Sequence, residues 1–168
     1  MSRIVIDGFN LIHAAAFPRT PGTDEVAALV ELLRQYKRIK GHSITVVLDG
    51  YLAGMPLERS ERLKGIRLIY SRLGEKADQV IERLAGRWAK SCVVITSDRA
   101  LAQSVEAKGT TVMGSEEFAA RLAMAEHMEI KGGDGEEPPA GPIHTRKKGN
   151  PKKKSKKARA RSRNLRKL

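Results

Sequence analysis

The chain has a single cysteine, 4% aromatic residues, no long apolar run and, from His144 to Leu168, no carboxylate. Each absence excludes something. A lone thiol cannot close an internal disulfide, and Cys92, inside the apolar run CVVI, reads as a small core residue of a protein kept reduced. No stretch approaches the ~18 apolar residues of a membrane span, and the apolar run at the N-terminus is too short for a secretory signal. We therefore expect a cytoplasmic protein with no membrane partner. No GKS or GKT phosphate loop occurs. The histidines, His13, His42, His127 and His144, show no metal-ligand spacing and read as surface or loop residues.

Positive charge is present in excess, and it is segregated. Of 32 Lys and Arg, 13 lie between His144 and Leu168; the remaining 19 balance 19 acidic residues, so the tail carries the whole formal charge of +13. A like-charge block this dense repels itself, is expected to be disordered, and seeks a polyanion. Nucleic acid is the natural partner; anionic lipid and a purely solubilising role stay open. TRKKGNPKKKSKKARARSRNLRKL, with Lys152, Lys153 and Lys154 near its middle, has no aromatic residue to stack on bases. Its contacts with nucleic acid would be with phosphates and insensitive to sequence. The preceding GGDGEEPPAGP reads as a linker. The expected division is a folded domain over 1–130, a Gly/Pro/acidic linker over 131–143 and the basic tail over 144–168.

Within the body, apolar strands alternate with helical periodicity. Ile4 to Ile6 reads as a strand, followed by a loop with Pro18, Pro21 and Gly22 and a helix from about Thr23, its N-cap, to Ile39. Strand Ser43 to Leu48 comes next, then a loop with Gly54 and Pro56, a short helix near Leu57 to Lys64, and a strand at Ile66 to Tyr70. A helix over about Glu75 to Ala89, strand Cys92 to Thr96, helix Ala100 to Lys108, strand Thr111 to Met113 and a helix capped by Ser115 complete it. Strands separated by helices imply an α/β sandwich with a mainly parallel sheet, because parallel neighbours need a crossover that covers a face.

Three of those strands end in aspartate: RIVIDG at Asp7, SITVVLDG at Asp49 and SCVVITSD at Asp98. Ligands of an open parallel sheet bind beyond the carboxyl ends of its strands, so neighbouring strands would gather these carboxylates on one rim. A fourth comes from GEKADQVIERLAGRW, where Ala77, Val80, Ile81, Leu84 and Trp88 form an apolar stripe and Glu75, Asp78 and Glu82 lie opposite. Singly, each has an innocent reading as a turn, cap or solvated first-turn residue. Together they do not: two carboxylates about 4 Å apart repel by roughly 4 kcal/mol at an effective dielectric of 20, so a cluster must bind a cation or share protons. All-oxygen ligands select Mg²⁺ or Mn²⁺, whose chemistry includes phosphodiester hydrolysis. Asn10 and Ser97 are then hydrogen-bonding groups beside the metal or the phosphate, or else an Asx-type loop residue and a cap. Arg72, Lys76 and Arg99 flank the site and either steer an RNA backbone or are ordinary solvated charges.

IVIDGFNLI, VVLDG, YSRLGEKADQVIERLA and VVITSD, in this order, resemble the NYN-domain (YacP-like) ribonucleases, which are PIN-like. The resemblance covers roughly Arg3 to Met124. It implies a three-layer α/β/α PIN-like domain, endonucleolytic cleavage of RNA and a divalent metal held by acidic residues. On the matching positions it makes Asp7, Asp78 and Asp98 the metal site and catalytic acids, with Asn10 in the DG-x-N motif and Asp49 on an aspartate typical of the YacP-like branch. Many PIN-like proteins carry a second acid beside the helical aspartate, where this chain has Gln79; Glu75 or Glu82 would compensate from the same helix face.

The expected function is thus a metal-dependent endoribonuclease whose tail holds RNA, messenger or ribosome-associated, or a ribonucleoprotein. The alternative is a non-catalytic RNA- or ribosome-binding protein with a residual acidic pocket. Two other readings fail on residues. Haloacid-type phosphatases want an aspartate two positions after Asp7, where Phe9 stands, and a receiver domain wants an acidic pair after the first strand and a lysine ending the last, which TTVMG does not offer.

Overall fold

In the first strand, β1 (Arg3–Asp7), Ile4, Val5 and Ile6 are all fully buried. Consecutive burial, with no alternation, marks a strand covered on both faces, the condition of a parallel sheet inside a sandwich. The same holds for β2 (Ser43–Leu48) and β5 (Cys92–Ile95). The protein is described by a computed structural model over residues 2–15, 24–50 and 56–131, with side chains placed through Ala125.

With β3 (Arg59–Leu63), β4 (Ile66–Tyr70) and β6 (Thr111–Met113), one six-stranded sheet runs in the order β3-β4-β2-β1-β5-β6. Every pairing is parallel except β3 with β4. Helices α1 (Gly8–Ala14), α2 (Glu25–Lys40) and α5 (Ser115–Lys131) cover one face around Leu29, Leu33, Tyr36 and Phe118. Helices α3 (Ala77–Trp88) and α4 (Arg99–Ala107) cover the other through Val80, Ile81, Leu84, Leu101 and Val105. The expected three-layer α/β/α sandwich is therefore what forms. From β1 the chain adds strands on one side as far as β3, then returns to place β5 and β6 on the other. This reversal makes the gap between β1 and β5 the topological switch point, where such sheets bind ligands.

Several local expectations need correction. The short helix near Leu57 to Lys64 is instead strand β3, joined to β4 by Lys64 and Gly65, whose φ values of 50° and 82° match a two-residue hairpin turn. The dipeptide overrides a charged stretch whose composition tolerates helix. A seven-residue helix, α1, stands directly after β1, where only a loop was expected; Asp7 caps it, accepting from the Asn10 backbone N–H at 3.2 Å. Helix α2 is capped by Asp24, which accepts from Val26 and Ala27, so Thr23 is not its N-cap. Helix α3 begins two residues after Glu75, with Lys76 at its N-cap and the Gln79 side chain accepting from the Lys76 N–H at 3.2 Å. Ser115 is the first helical residue of α5 and its hydroxyl turns to another task, described below.

Cys92 is buried, as expected, and burial pushes its thiol up to about 12. His42 stands in the loop between α2 and β2, as expected, but is buried there: it is 5% exposed and its ring sits 6.4 Å from that of Tyr36. His13 is exposed. Among the described residues no helix is long and apolar enough to cross a membrane. The loop around Pro18, Pro21 and Gly22, Gly54, the linker from 132 onwards and the basic tail with Lys152, Lys153 and Lys154 lie outside the described residues.

Candidate active site

Both DG motifs exist because backbone passes too close for a side chain. A Cβ on Gly8 would lie 2.5 Å from Leu48 Cδ2 and 2.9 Å from the Val47 carbonyl oxygen, since α1 starts directly over β2. A Cβ on Gly50 would lie 1.7 Å from the Ser71 carbonyl oxygen. Each glycine lets a turn fold tightly onto the next strand and leaves the preceding aspartate standing on the carboxyl rim of the sheet.

There Asp7 ends β1, Asp49 follows β2 and Asp98 follows β5 as the N-cap of α4, accepting from the Leu101 N–H at 2.9 Å. Asp78 reaches the same rim from the first turn of α3. Their nearness is registered electrostatically. Burial raises the Asp7 carboxyl above its ordinary value, helped by the charges of Asp78 and Asp98 and opposed by hydrogen bonds from Asn10 and Thr96. Burial likewise raises Asp78, with Asp98, Glu82 and Asp49 adding to it and Lys76 opposing. Sequence reasoning thus selected four carboxylates that do share one rim. They do not close on a common point: among the described residues no three His, Cys, Asp or Glu are grouped tightly enough to hold a metal as they stand. In type, the all-oxygen donor set suits a hard dication.

Hydroxyl groups tie the rim together, and two of them, Thr96 and Ser71, the sequence reading did not single out. Thr96, 2% exposed, accepts from the Asp98 N–H at 3.1 Å and its hydroxyl lies 3.4 Å from Asp7 Oδ2, linking the ends of β1 and β5. Ser71, fully buried after β4, accepts from the Gly50 N–H at 3.0 Å and reaches Asp49 Oδ1 at 3.5 Å. The available signal was positional: each is the first residue beyond a strand that ends on the acidic rim. Asn10 Oδ1 accepts from the Ser97 N–H at 3.1 Å and from the Ser115 hydroxyl at 2.8 Å, while Ser97 Oγ accepts from the Ser115 N–H at 3.1 Å. Asn10 and Ser97 are therefore bound to each other.

The remaining candidates differ in their surroundings. Arg72 is exposed and sits 3.4 Å from Glu75, which also accepts from Arg83 at 2.7 Å; Arg83 in turn meets Glu58. Glu82 pairs with Lys108 at 2.8 Å. Glu75 and Glu82, the acids expected to compensate for Gln79, thus both meet cations, and Gln79 itself caps α3. Lys76 is exposed at the N-cap of α3 and Arg99 opens α4, exposed beside Asp98.

The model of the YacP-like NYN domain family matches residues 4–168 of this chain. Two solved structures are similar to it in fold, both titled crystal structures of Rae1 (YacP) from Bacillus subtilis, one of a point mutant. Each is 21% identical to this chain and covers 78% of it; the matches span 79% and 80% of those chains, with TM-scores of 0.63 and 0.64. No curated protein matches.

Proposed function

Because the chain belongs to the YacP-like NYN domain family, we propose that it is a metal-dependent endoribonuclease. In this reading Mg²⁺ or Mn²⁺ is held by Asp7, Asp78 and Asp98, with Asp49 alongside, in a cytoplasmic protein that hydrolyses RNA phosphodiester bonds. One observation carries it. Asp7, Asp78 and Asp98, far apart in sequence, repel one another at the switch point of the sheet, and Asp7 and Asp78 are raised, whereas Glu31 and Glu82 elsewhere on the body are matched with lysine.

A bound dication supplies Lewis acidity toward a phosphate oxygen and acidifies water. The chain's own residues do the rest. The Asn10 N–H and the Thr96 hydroxyl orient the Asp7 carboxylate, and capping of α4 fixes Asp98. Arg72 and Arg99, exposed beside the rim, attract the RNA backbone, and Lys152, Lys153 and Lys154 of the tail extend that grip through sequence-insensitive phosphate contacts.

The test is cleavage. Purified protein with Mg²⁺ or Mn²⁺ should cut single-stranded or loop RNA, chelator should stop it, and Asp7→Asn or Asp78→Asn should remove cutting while leaving RNA binding nearly intact. Equal residual cutting in both variants would mean a contaminating nuclease. The rival reading, a non-catalytic RNA- or ribosome-binding protein, draws on Gln79 in place of a second acid and on carboxylates that stand apart. It predicts salt-sensitive RNA binding with no cleavage under any metal.

A further inference from the structure

The ring of hydrogen bonds among Asn10, Ser97 and Ser115 fixes which end of the Asn10 amide is engaged and which is left over. A backbone N–H can only donate, so the Asn10 atom 3.1 Å from the Ser97 nitrogen is the carbonyl oxygen. The Ser115 hydroxyl, 2.8 Å from the same oxygen, must then donate as well. Both lone pairs of that oxygen are occupied, and no acceptor among the described residues meets the Asn10 Nδ2 amide. Ser115 is fully buried, and its own N–H holds Ser97 Oγ, so the ring closes through three elements: α1, the loop after β5 and the start of α5.

We propose that Ser115 is a positioning residue that locks Asn10 as a pure donor, so that Asn10 acts through its two amide hydrogens on a phosphate oxygen of RNA and never as a metal ligand. This rests on the nuclease reading for its substrate. The chemistry separates the two roles. A cation wants the carbonyl oxygen, which is already doubly engaged; a phosphate oxygen, an acceptor only, wants the N–H groups, which are left over. Helix α5, at whose first turn Ser115 stands, thereby sets the orientation of the Asn10 amide.

Asn10→Asp is the sharpest probe, because aspartate keeps the oxygen that accepts from Ser97 and Ser115 while replacing the NH₂ with a second oxygen. Single-turnover cleavage of a short single-stranded RNA with Mn²⁺ should fall about 100-fold in Asn10→Asp. The apparent Mn²⁺ affinity should be unchanged or higher, because a carboxylate has been added. Wild-type or faster cleavage by Asn10→Asp would overturn the proposal, since the oxygen would then be the working atom. Ser115→Ala should cost about 5- to 10-fold in the same assay and nothing further in the Asn10→Asp background. A full multiplicative loss in the double variant would mean that Ser115 acts only on the fold.

A measurement independent of catalysis uses the wild-type chain. The side-chain amide resonance of Asn10 should shift when phosphorothioate RNA is titrated in without metal. An unmoved resonance overturns the proposal even if a variant fails to fold. Absence of cleavage by the wild type, with the Asn10 resonance still shifting, would defeat the nuclease reading and leave this inference standing.

Discussion

Two sets of carboxylates on this molecule are treated in opposite ways. On the flank formed by α2 and the β3–β4 hairpin, Glu31 meets Arg34 and Lys64, each at 2.6 Å, and those hydrogen bonds bring its carboxyl down to about 2. Glu82 is lowered by Lys108 and Ser104. On the carboxyl rim, Asp7 and Asp78 are raised by burial and by each other's neighbourhood. The body has as many basic as acidic residues, so cations to neutralise the rim are not scarce. Those near the rim do not cancel it: Lys76 opposes the rise of Asp78 without reversing it. A fold that satisfies its flank acids and leaves half-buried Asp7 and Asp78 in repulsion with their neighbours has the charge arrangement that the proposed cation site requires.

The contrast breaks most visibly in catalysis. Asp7→Asn and Asp78→Asn should each lower metal-dependent RNA cleavage by about 100-fold or more, whereas Glu31→Gln should leave the rate unchanged; a shared drop would mean that the flank and the rim are one electrostatic unit.

Next in size is the architecture that holds the rim open. Gly50→Ala forces a Cβ into the space of the Ser71 carbonyl oxygen and should destabilise the domain by about 2–3 kcal/mol or more, read in a urea titration. A midpoint unchanged from wild type would show that the β2 and β4 ends are not packed as described.

Smaller, and opposite in sign, is the stability effect at Asp7. Its carboxyl is raised in the native state, so between the unfolded value near 3.8 and the native one the folded chain binds more protons than the unfolded chain. Stability is therefore lost as pH rises through that window. Asp7→Asn, which can still cap α1, should raise Tm at neutral pH without metal by a few degrees, read by thermal unfolding. The gain should shrink as pH falls through the native value and be gone below about 3.8. Glu31 runs the other way: its contribution is complete above its unfolded value near 4.5 and is lost as pH falls toward about 2. Glu31→Gln should accordingly lower Tm slightly at neutral pH, by less than about 2 °C, because exposed pairs contribute little.

Sequence reading reached the rim because strands buried on both faces announce themselves as unbroken apolar runs, and an aspartate that ends such a run stands out. Asp7, Asp49, Asp98 and the polar face with Asp78 were legible on those grounds, and the parallel sandwich followed from alternation. Strand β3 was not, because an edge strand with Arg59, Ser60, Arg62 and Leu63 all exposed has no period-two apolar signal. Its one informative feature was the Lys64–Gly65 turn. Helix α1 escaped because seven residues are too few for a helical period to separate from a loop. The partners of the Ser71, Thr96 and Ser115 hydroxyls are hidden for another reason: each acquires its role from another element, and Ser115, read as a helix cap, bonds a residue 105 positions away. Capping by Gln79 was hidden by comparison with an acid that other chains place there.

The claim beneath all of this is that the rim's repulsion is relieved by a hard dication. Thermal unfolding at neutral pH, with and without Mn²⁺, tests it directly in wild type and Asp78→Asn. Tm should rise with Mn²⁺ in the wild type, and that rise should vanish in the variant, even though the variant is at least as stable without metal. An identical Mn²⁺ response in both proteins, or none in either, would contradict the account.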